Sequence, residues 1–250
     1  MVRSVLIVTL GVAITGFFSF WSLIISLIPD SENRIHKIAG LWAKILLLMS
    51  STKVEVIGRE NILRGKPQIF MANHQSDFDI LITLANIPGQ FRWIAKKELF
   101  HIPVFGAAMR AAGYIEIDRF DHEKAMQSLD EAAIHIRDGK SIMSFPEGTR
   151  SSNGIQAFKQ GVFYLAIKSG IPIVPVSIVG SGEIMPKRSL KVTPGKVKLI
   201  IDKPIDTKSF TLESRSELID KVRKVIIKNC DDWKETISSN FGRAEKKFSF

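Results

Sequence analysis

Cysteine is nearly absent: the 250-residue chain has one, Cys230. No intrachain disulfide can form, and a reducing compartment fits that usage. Cys230 falls in a stretch with helical periodicity and reads as a core residue. Metal-ligand spacing is missing as well. The five histidines are scattered, with no HxxxH pair, and one cysteine makes no CxxC. Basic residues are plentiful, 35 Lys+Arg against 25 Asp+Glu for a formal charge of +10. They nevertheless form no dense cluster interleaved with aromatics, and no nucleic-acid-binding motif is present. Repeats and low-complexity linkers are also lacking, so the length suits one α/β domain with an appendage. A basic chain with 45% hydrophobic residues then points to an anionic membrane surface or anionic substrates.

Charge itself is absent from residues 4–28. As a helix this stretch runs about 37 Å, more than the roughly 30 Å hydrocarbon core of a bilayer. It makes a poor signal peptide, because the apolar run is too long and no small-x-small cleavage site follows. Gly11, Thr15, Ser19, Ser22 and Ser26 form a stripe of small residues along one face, a seam for another helix. After the turn at residues 29–33, a second helix is expected over residues 34–49. Its apolar positions Ile35, Ile38, Trp42, Ile45 and Met49 keep helical spacing, with Lys37 and Lys44 on the other side. Sixteen residues are too few to span, and Lys44 near mid-bilayer would cost about 2.5 to 3.5 kcal/mol. An interfacial amphipathic helix fits better, with Ala39, Gly40 and Ala43 facing the seam. Residues 1–50 are therefore expected to form a membrane-embedded two-helix hairpin, the first helix dipping into the bilayer. It would hold residues 51–250 on the cytoplasmic face of the cytoplasmic or inner membrane. The alternative is that both helices belong to a soluble core.

From residue 53 the pattern alternates between strands and helices. Strands are expected at residues 53–57, 68–72, 91–95, 113–119, 141–145, 173–178 and 196–201. Helices are expected at 103–112, 122–138 and 161–169, with a last one after a Ser214–Glu217 capping box. The fold class is α/β, a mixed, largely parallel sheet flanked by helices.

Chemistry concentrates at Asn73-His74-Gln75-Ser76-Asp77-Phe78-Asp79, between a strand and an apolar segment of helical character. His74 and Asp79 are five apart and, at about 100° per residue, lie on different sides of a regular helix. They meet only if His74 sits in the turn before the helix and Asp79 in its first turn. There the carboxylate would accept from one imidazole nitrogen and leave the other to take a proton. The bland alternative is a capping box, Ser76-x-x-Asp79, with Ser76 as N-cap. Arg119 closes the 113–119 strand, and Arg150 sits in a glycine-containing loop after the 141–145 strand. Arginine forks match phosphate oxygens, and N–H groups around Gly148 and Thr149 would add donors. Lys96 is a further cation at a strand exit, with a solvated surface lysine as its alternative reading.

His74-x-x-x-x-Asp79, the run from Gly113 to Arg119, Phe145-Pro146-Glu147-Gly148-Thr149-Arg150-Ser151 and Ile171-Pro172-Ile173-Val174-Pro175-Val176 resemble, in order, the four sequence blocks of the glycerolipid acyltransferases. The resemblance spans roughly residues 73–178 and is weak in the hairpin and the last seventy residues. One departure is Glu116, where the family pattern usually has phenylalanine. The resemblance implies transfer of a fatty acyl group from acyl-CoA or acyl-carrier protein to the free hydroxyl of a lysophosphatidic acid, with no resident cofactor. It implies His74 as general base, Asp79 as its partner, and Arg119 with Glu147, Gly148, Thr149 and Arg150 at the acceptor site. Glu147 is unexpected beside a phosphate, and is expected to accept from the glycerol hydroxyl or to position Arg150. Other acceptors, such as glycerol 3-phosphate or another lysophospholipid, and a non-catalytic phospholipid-binding module remain alternatives.

Overall fold

Two helices open the chain in the computed structural model, which describes residues 1–118, 121–152 and 154–247, with backbone alone at His122 and over 234–247. The first, α1, is Val2–Ser26 and the second, α2, is Glu32–Ser50. There follow β1 (Thr52–Ile57), β2 (Ile69–Ala72), α3 (Phe78–Asn86), β3 (Phe91–Lys96), α4 (Lys97–Phe100), α5 (Phe105–Ala111) and β4 (Ile115–Ile117). The second half holds α6 (His122–Arg137), β5 (Ser141–Ser144), α7 (Gly161–Ser169), β6 (Ile173–Val179), α8 (Ser181–Ile184), β7 (Gly195–Ile201) and α9 (Arg215–Lys247).

The strands form one sheet in the order β1-β7-β6-β2-β5-β3-β4. Every neighbouring pair is parallel except β6 with β7. The central strands read as near-continuous apolar runs because both faces are covered. In β2, Phe70 and Ala72 pack under α2 and α3, while Ile69 and Met71 face the opposite layer, where α6, α7 and α9 contribute Leu129, Phe163, Val222 and Cys230. Because β6, β2, β5, β3 and β4 run the same way, their exits gather along one edge. That edge is where an open α/β sheet places its ligands.

α1 and α2 pack on one another, and the small-residue seam is used. Trp42 Nε1 donates to Thr15 Oγ1 (3.0 Å), Gly11 faces Leu46, and Ser19 and Ser22 are buried. Gly40 differs from expectation: it faces α3, where a Cβ would stand 3.2 Å from the Leu84 carbonyl oxygen. α2 thus has two partners, and Ile35, Ala43 and Leu47 are buried in the same core cluster as β2 and α3. α1 is long and apolar enough to cross a membrane by length and composition, and little of it is buried. Its outer face carries Val5, Leu6, Leu10, Phe17 and Phe20 to the surface. Beneath the α1–α2 turn, the wholly buried Arg92 donates to Asn33 Oδ1 (2.6 Å) and pairs with Glu32, which Lys140 also reaches (2.6 Å). The expected strand over 113–119 narrows to three residues. Its Glu116 pairs with Arg110 (2.9 Å) at the surface and lies off the central cavity, which accounts for a carboxylate at that position.

Candidate active site

The turn after β2 is fixed by Asn73, whose side-chain amide copies a peptide group. Its Oδ1 accepts from Ile178 N (2.7 Å) and its Nδ2 donates to Ile178 O (2.8 Å), extending the β2–β6 pairing by one residue. His74 comes next, clamped through its backbone to the loop after β5. His74 N donates to Glu147 Oε1 (2.8 Å), and His74 O accepts from Ser151 N (2.8 Å). Parallel pairing of β2 with β5 brings these two loops together.

The imidazole Nδ1 lies 2.9 Å from Asp79 Oδ2. Asp79 is the second residue of α3, so the geometric condition set by the five-residue spacing is met. The same oxygen accepts from Gln75 N (2.7 Å) and Ser76 N (2.8 Å). The capping and orienting readings of Asp79 therefore hold together, since one carboxylate ends the turn and holds the ring. The helix begins after Asp77, which makes no side-chain cap bond, and Ser76, one residue earlier, plays the capping part expected of it. The Ser76 hydroxyl donates to Met185 O (2.7 Å) and accepts from Phe78 N (3.3 Å). A hydroxyl donating to a carbonyl is not primed as a nucleophile. The imidazole also stacks on Phe145, with centroids 3.9 Å apart and planes 3° from parallel, and Trp93 packs against Phe145 in turn. Phe145 stood in the third sequence block with no role assigned, because nothing local marks a ring that serves a residue on another strand.

Glu147 is buried, and both its oxygens are engaged, Oε1 by His74 N and Oε2 by Gln156 N (2.8 Å). Burial raises its pKa above the usual carboxylate value, and the two backbone donors oppose that shift. Arg150 pairs with Asp77 rather than with Glu147. The N–H of Gly148 donates to Phe145 O (3.0 Å), closing the loop, so it is not one of the open donors expected there. Gly148 adopts φ +74°, and a Cβ would stand 2.9 Å from Lys159 Cε. Lys96 pairs with Glu98 (3.2 Å), while its neighbour Lys97 bridges to Asp118 (2.5 Å) beyond β4 and is held charged by that bond. Arg119, expected at the end of that strand, lies outside the described residues.

A cavity of about 1070 Å³ opens at this edge. His74, Glu147, Gly148, Thr149, Arg150 and Lys96 line its polar end. Ile7 and Val8 of α1, Ile38 and Trp42 of α2, and Leu81 and Leu84 of α3 line the rest. Among the described residues no group of three or more His, Cys, Asp or Glu side chains is placed to hold a metal ion. The arrangement offers an oriented imidazole base, cationic groups beside it and an apolar compartment leading away, which suits proton transfer from a polar group on a long-chain molecule.

Residues 53–179 match the model of the acyltransferase family. The chain is 36% identical over 200 residues to the chloroplastic 1-acyl-sn-glycerol-3-phosphate acyltransferase of Arabidopsis thaliana, covering 78% of this chain and 56% of that protein. It is 32% identical to the 1-acyl-sn-glycerol-3-phosphate acyltransferase of Saccharomyces cerevisiae, covering 90% of this chain and 75% of that one. The chain therefore spans little more than half the length of its plant relative, but three-quarters of the yeast one. Among solved structures, the 1-acyl-sn-glycerophosphate (LPA) acyltransferase PlsC of Thermotoga maritima matches with a TM-score of 0.80 at 30% identity, over 93% of this chain and 95% of that one.

Proposed function

The chain belongs to the acyltransferase family, and from that membership we propose that it transfers a fatty acyl group from acyl-CoA or acyl-carrier protein to the sn-2 hydroxyl of 1-acylglycerol 3-phosphate, giving phosphatidic acid. The observation that carries this reading is the His74–Asp79 pair at the polar end of an apolar cavity. Asp79 accepts from Nδ1 and fixes the tautomer, so Nε2 is the basic atom. It takes the proton of the acceptor hydroxyl as that oxygen attacks the thioester carbonyl. The tetrahedral intermediate collapses with release of a thiolate, whose conjugate acid has a pKa of about 8.5 and needs little acid help. The imidazolium formed meanwhile lies between the Asp79 carboxylate and the Phe145 ring face, both of which favour a cation. No acyl-enzyme is required, in keeping with a Ser76 hydroxyl turned to Met185.

Arg150 and Lys96 are the groups that meet the acceptor phosphate, with Arg119 as a third and the Thr149 N–H as an added donor. Phosphate would compete with Asp77 for Arg150, a resident carboxylate that keeps the fork extended until substrate arrives. Glu147 acts one step back by holding the His74 backbone. The acyl chain occupies the apolar compartment under α1 and α2. The outer face of α1 dips into the cytoplasmic leaflet and α2 lies at the interface, so lipid acceptor and soluble acyl donor reach the base from two phases.

The test is purified protein offered lysophosphatidic acid, glycerol 3-phosphate and zwitterionic lysophospholipids with acyl-CoA or acyl-carrier protein. New diacyl product from lysophosphatidic acid is expected. Product from another acceptor alone would replace that substrate, and no product from any would leave a lipid-binding module.

A further inference from the structure

No acidic residue lies between Glu183 and Asp202, while Lys187, Arg188, Lys191, Lys196 and Lys198 do. The first three stand on a loop joining α8 to β7, with Leu190 at its tip, 68% exposed. The loop is an ordered turn. Ser189 N donates to Pro186 O, Lys191 N to Ser189 Oγ, and Thr193 N to Ile184 O across its base. Its two ends are tied to different parts of the molecule. Met185 O accepts from Ser76 Oγ beside the His74 turn. Val192 is bonded to the start of α1, its N donating to Ser4 Oγ (3.1 Å) and its O accepting from Arg3 Nη1 (3.2 Å). Met185 and Val192 both line the cavity. A leucine tip flanked by three cations thus stands at the cavity rim, beside the exposed apolar residues Val2, Val5 and Leu6 of α1.

From this juxtaposition we propose that residues 186–191 are a second membrane contact, a basic finger that seats Leu190 among the headgroups of an anionic leaflet and holds the cavity rim against it. The occupant is the leaflet because the finger continues the exposed apolar surface of α1, and its charge complements anionic lipid. The inference rests on the reading of the protein as an enzyme of lipid substrates, and its test separates the two.

Cys230 is buried and Leu190 exposed, so the full-length Leu190→Cys, Cys230→Ser variant takes one polarity-sensitive fluorophore at the tip. Vesicles containing phosphatidylglycerol are expected to shift its emission to the blue, and phosphatidylcholine vesicles to do so far less. Neutralising the flank (Lys187→Gln, Arg188→Gln, Lys191→Gln) is expected to abolish that lipid dependence and weaken partitioning by up to about 10²-fold. Turnover of vesicle-borne lysophosphatidic acid should fall in the neutralised variant, and turnover of a short-chain acceptor dissolved as monomer should not. An unchanged probe on vesicle-bound protein, or a shift produced by acyl-carrier protein and not by vesicles, would overturn the proposal. Equal loss on both acceptors would overturn it too. A probe that shifts in a protein with no transferase activity would instead retire the enzymatic reading and leave the finger standing.

Discussion

At the scale of single residues, one oxygen organises the site. Asp79 Oδ2 accepts from the imidazole and from two backbone N–H groups, so the turn cannot form without placing an acceptor beside His74. His74→Ala is expected to lower kcat by about 10² to 10⁴, with melting temperature and vesicle binding unchanged. Asp79→Asn should lose activity comparably, because a neutral amide no longer balances the imidazolium, and some stability as well, because its NH2 would stand where Oδ1 is buried without a hydrogen-bond partner. Glu147→Gln separates two roles. A residue that only braces His74 gives a lower kcat with an unchanged KM for the acceptor, and steady-state kinetics on lysophosphatidic acid is expected to show that. A raised KM would return Glu147 to the acceptor. Pairing of His74 with Asp79 was legible in sequence, since a five-residue interval allows only one geometry. The contacts of Phe145 and Glu147 were not, because each serves a residue about seventy positions away across a parallel strand pair.

At the scale of elements, α2 is the piece whose packing decides how the first fifty residues relate to the sheet. His36 on its inner face hydrogen-bonds Tyr114 Oη (3.0 Å) and meets the Phe91 ring edge-on. Burial, and then the nearby Arg92 guanidinium, lower the His36 pKa to about 3. A folded-state value below the unfolded one means that the unfolded chain takes the proton first. The stability tied to a neutral His36 is thus complete above pH 6.5 and is lost as pH falls from 6.5 towards 3. The slope for one proton is about 1.4 kcal/mol per pH unit, or roughly 2 kcal/mol by pH 5. His36→Gln keeps a partner for Tyr114 without titrating, so thermal melts in detergent should show a shallower fall below pH 6.5 than wild type. An identical fall would mean that other groups carry it. Gly113 belongs to the same junction: its left-handed φ of +69° suits glycine, and a Cβ there would press on the Glu32 carboxylate at 2.8 Å. The long helices were readable because periodicity accumulates over several turns. α4 and α8, four residues each, are too short to leave a pattern, and β4 is trimmed because its partner β3 ends at Lys96, opposite Ile117, where α4 begins. The two faces of α2 are not separable from sequence at Gly40, which meets α3, because small residues mark a close approach without naming the partner.

At the scale of the whole molecule, sheet order was beyond the sequence. Parallel strands signal burial but not neighbours, and nothing local reveals that β7 inserts between β1 and β6. The composition shift near residue 50 was legible, yet it marks a change of environment more than an edge of the packed unit. α2 contributes Ile35, Ala43 and Leu47 to the core cluster beneath the sheet, and its first turn supplies Glu32 and Asn33 to the buried Arg92. α1, by contrast, gives its outer apolar face to the surroundings. Two truncations should therefore behave differently. A chain beginning at residue 31 keeps the Arg92 partners and is expected to fold in detergent, while losing most of its affinity for vesicles and the α1 wall of the cavity. A chain beginning at residue 51 loses Glu32 and Asn33 from the Arg92 guanidinium. The apolar bed of α2, with Phe70 and Phe91 of the same core cluster, would be exposed at the same time, against a total stability of only about 5 to 15 kcal/mol. It is expected to aggregate, with circular dichroism and gel filtration in detergent as the measurements. A monodisperse, cooperatively melting chain from residue 51, still held on vesicles at high salt, would show that the first two helices are neither part of the folding unit nor its main anchor.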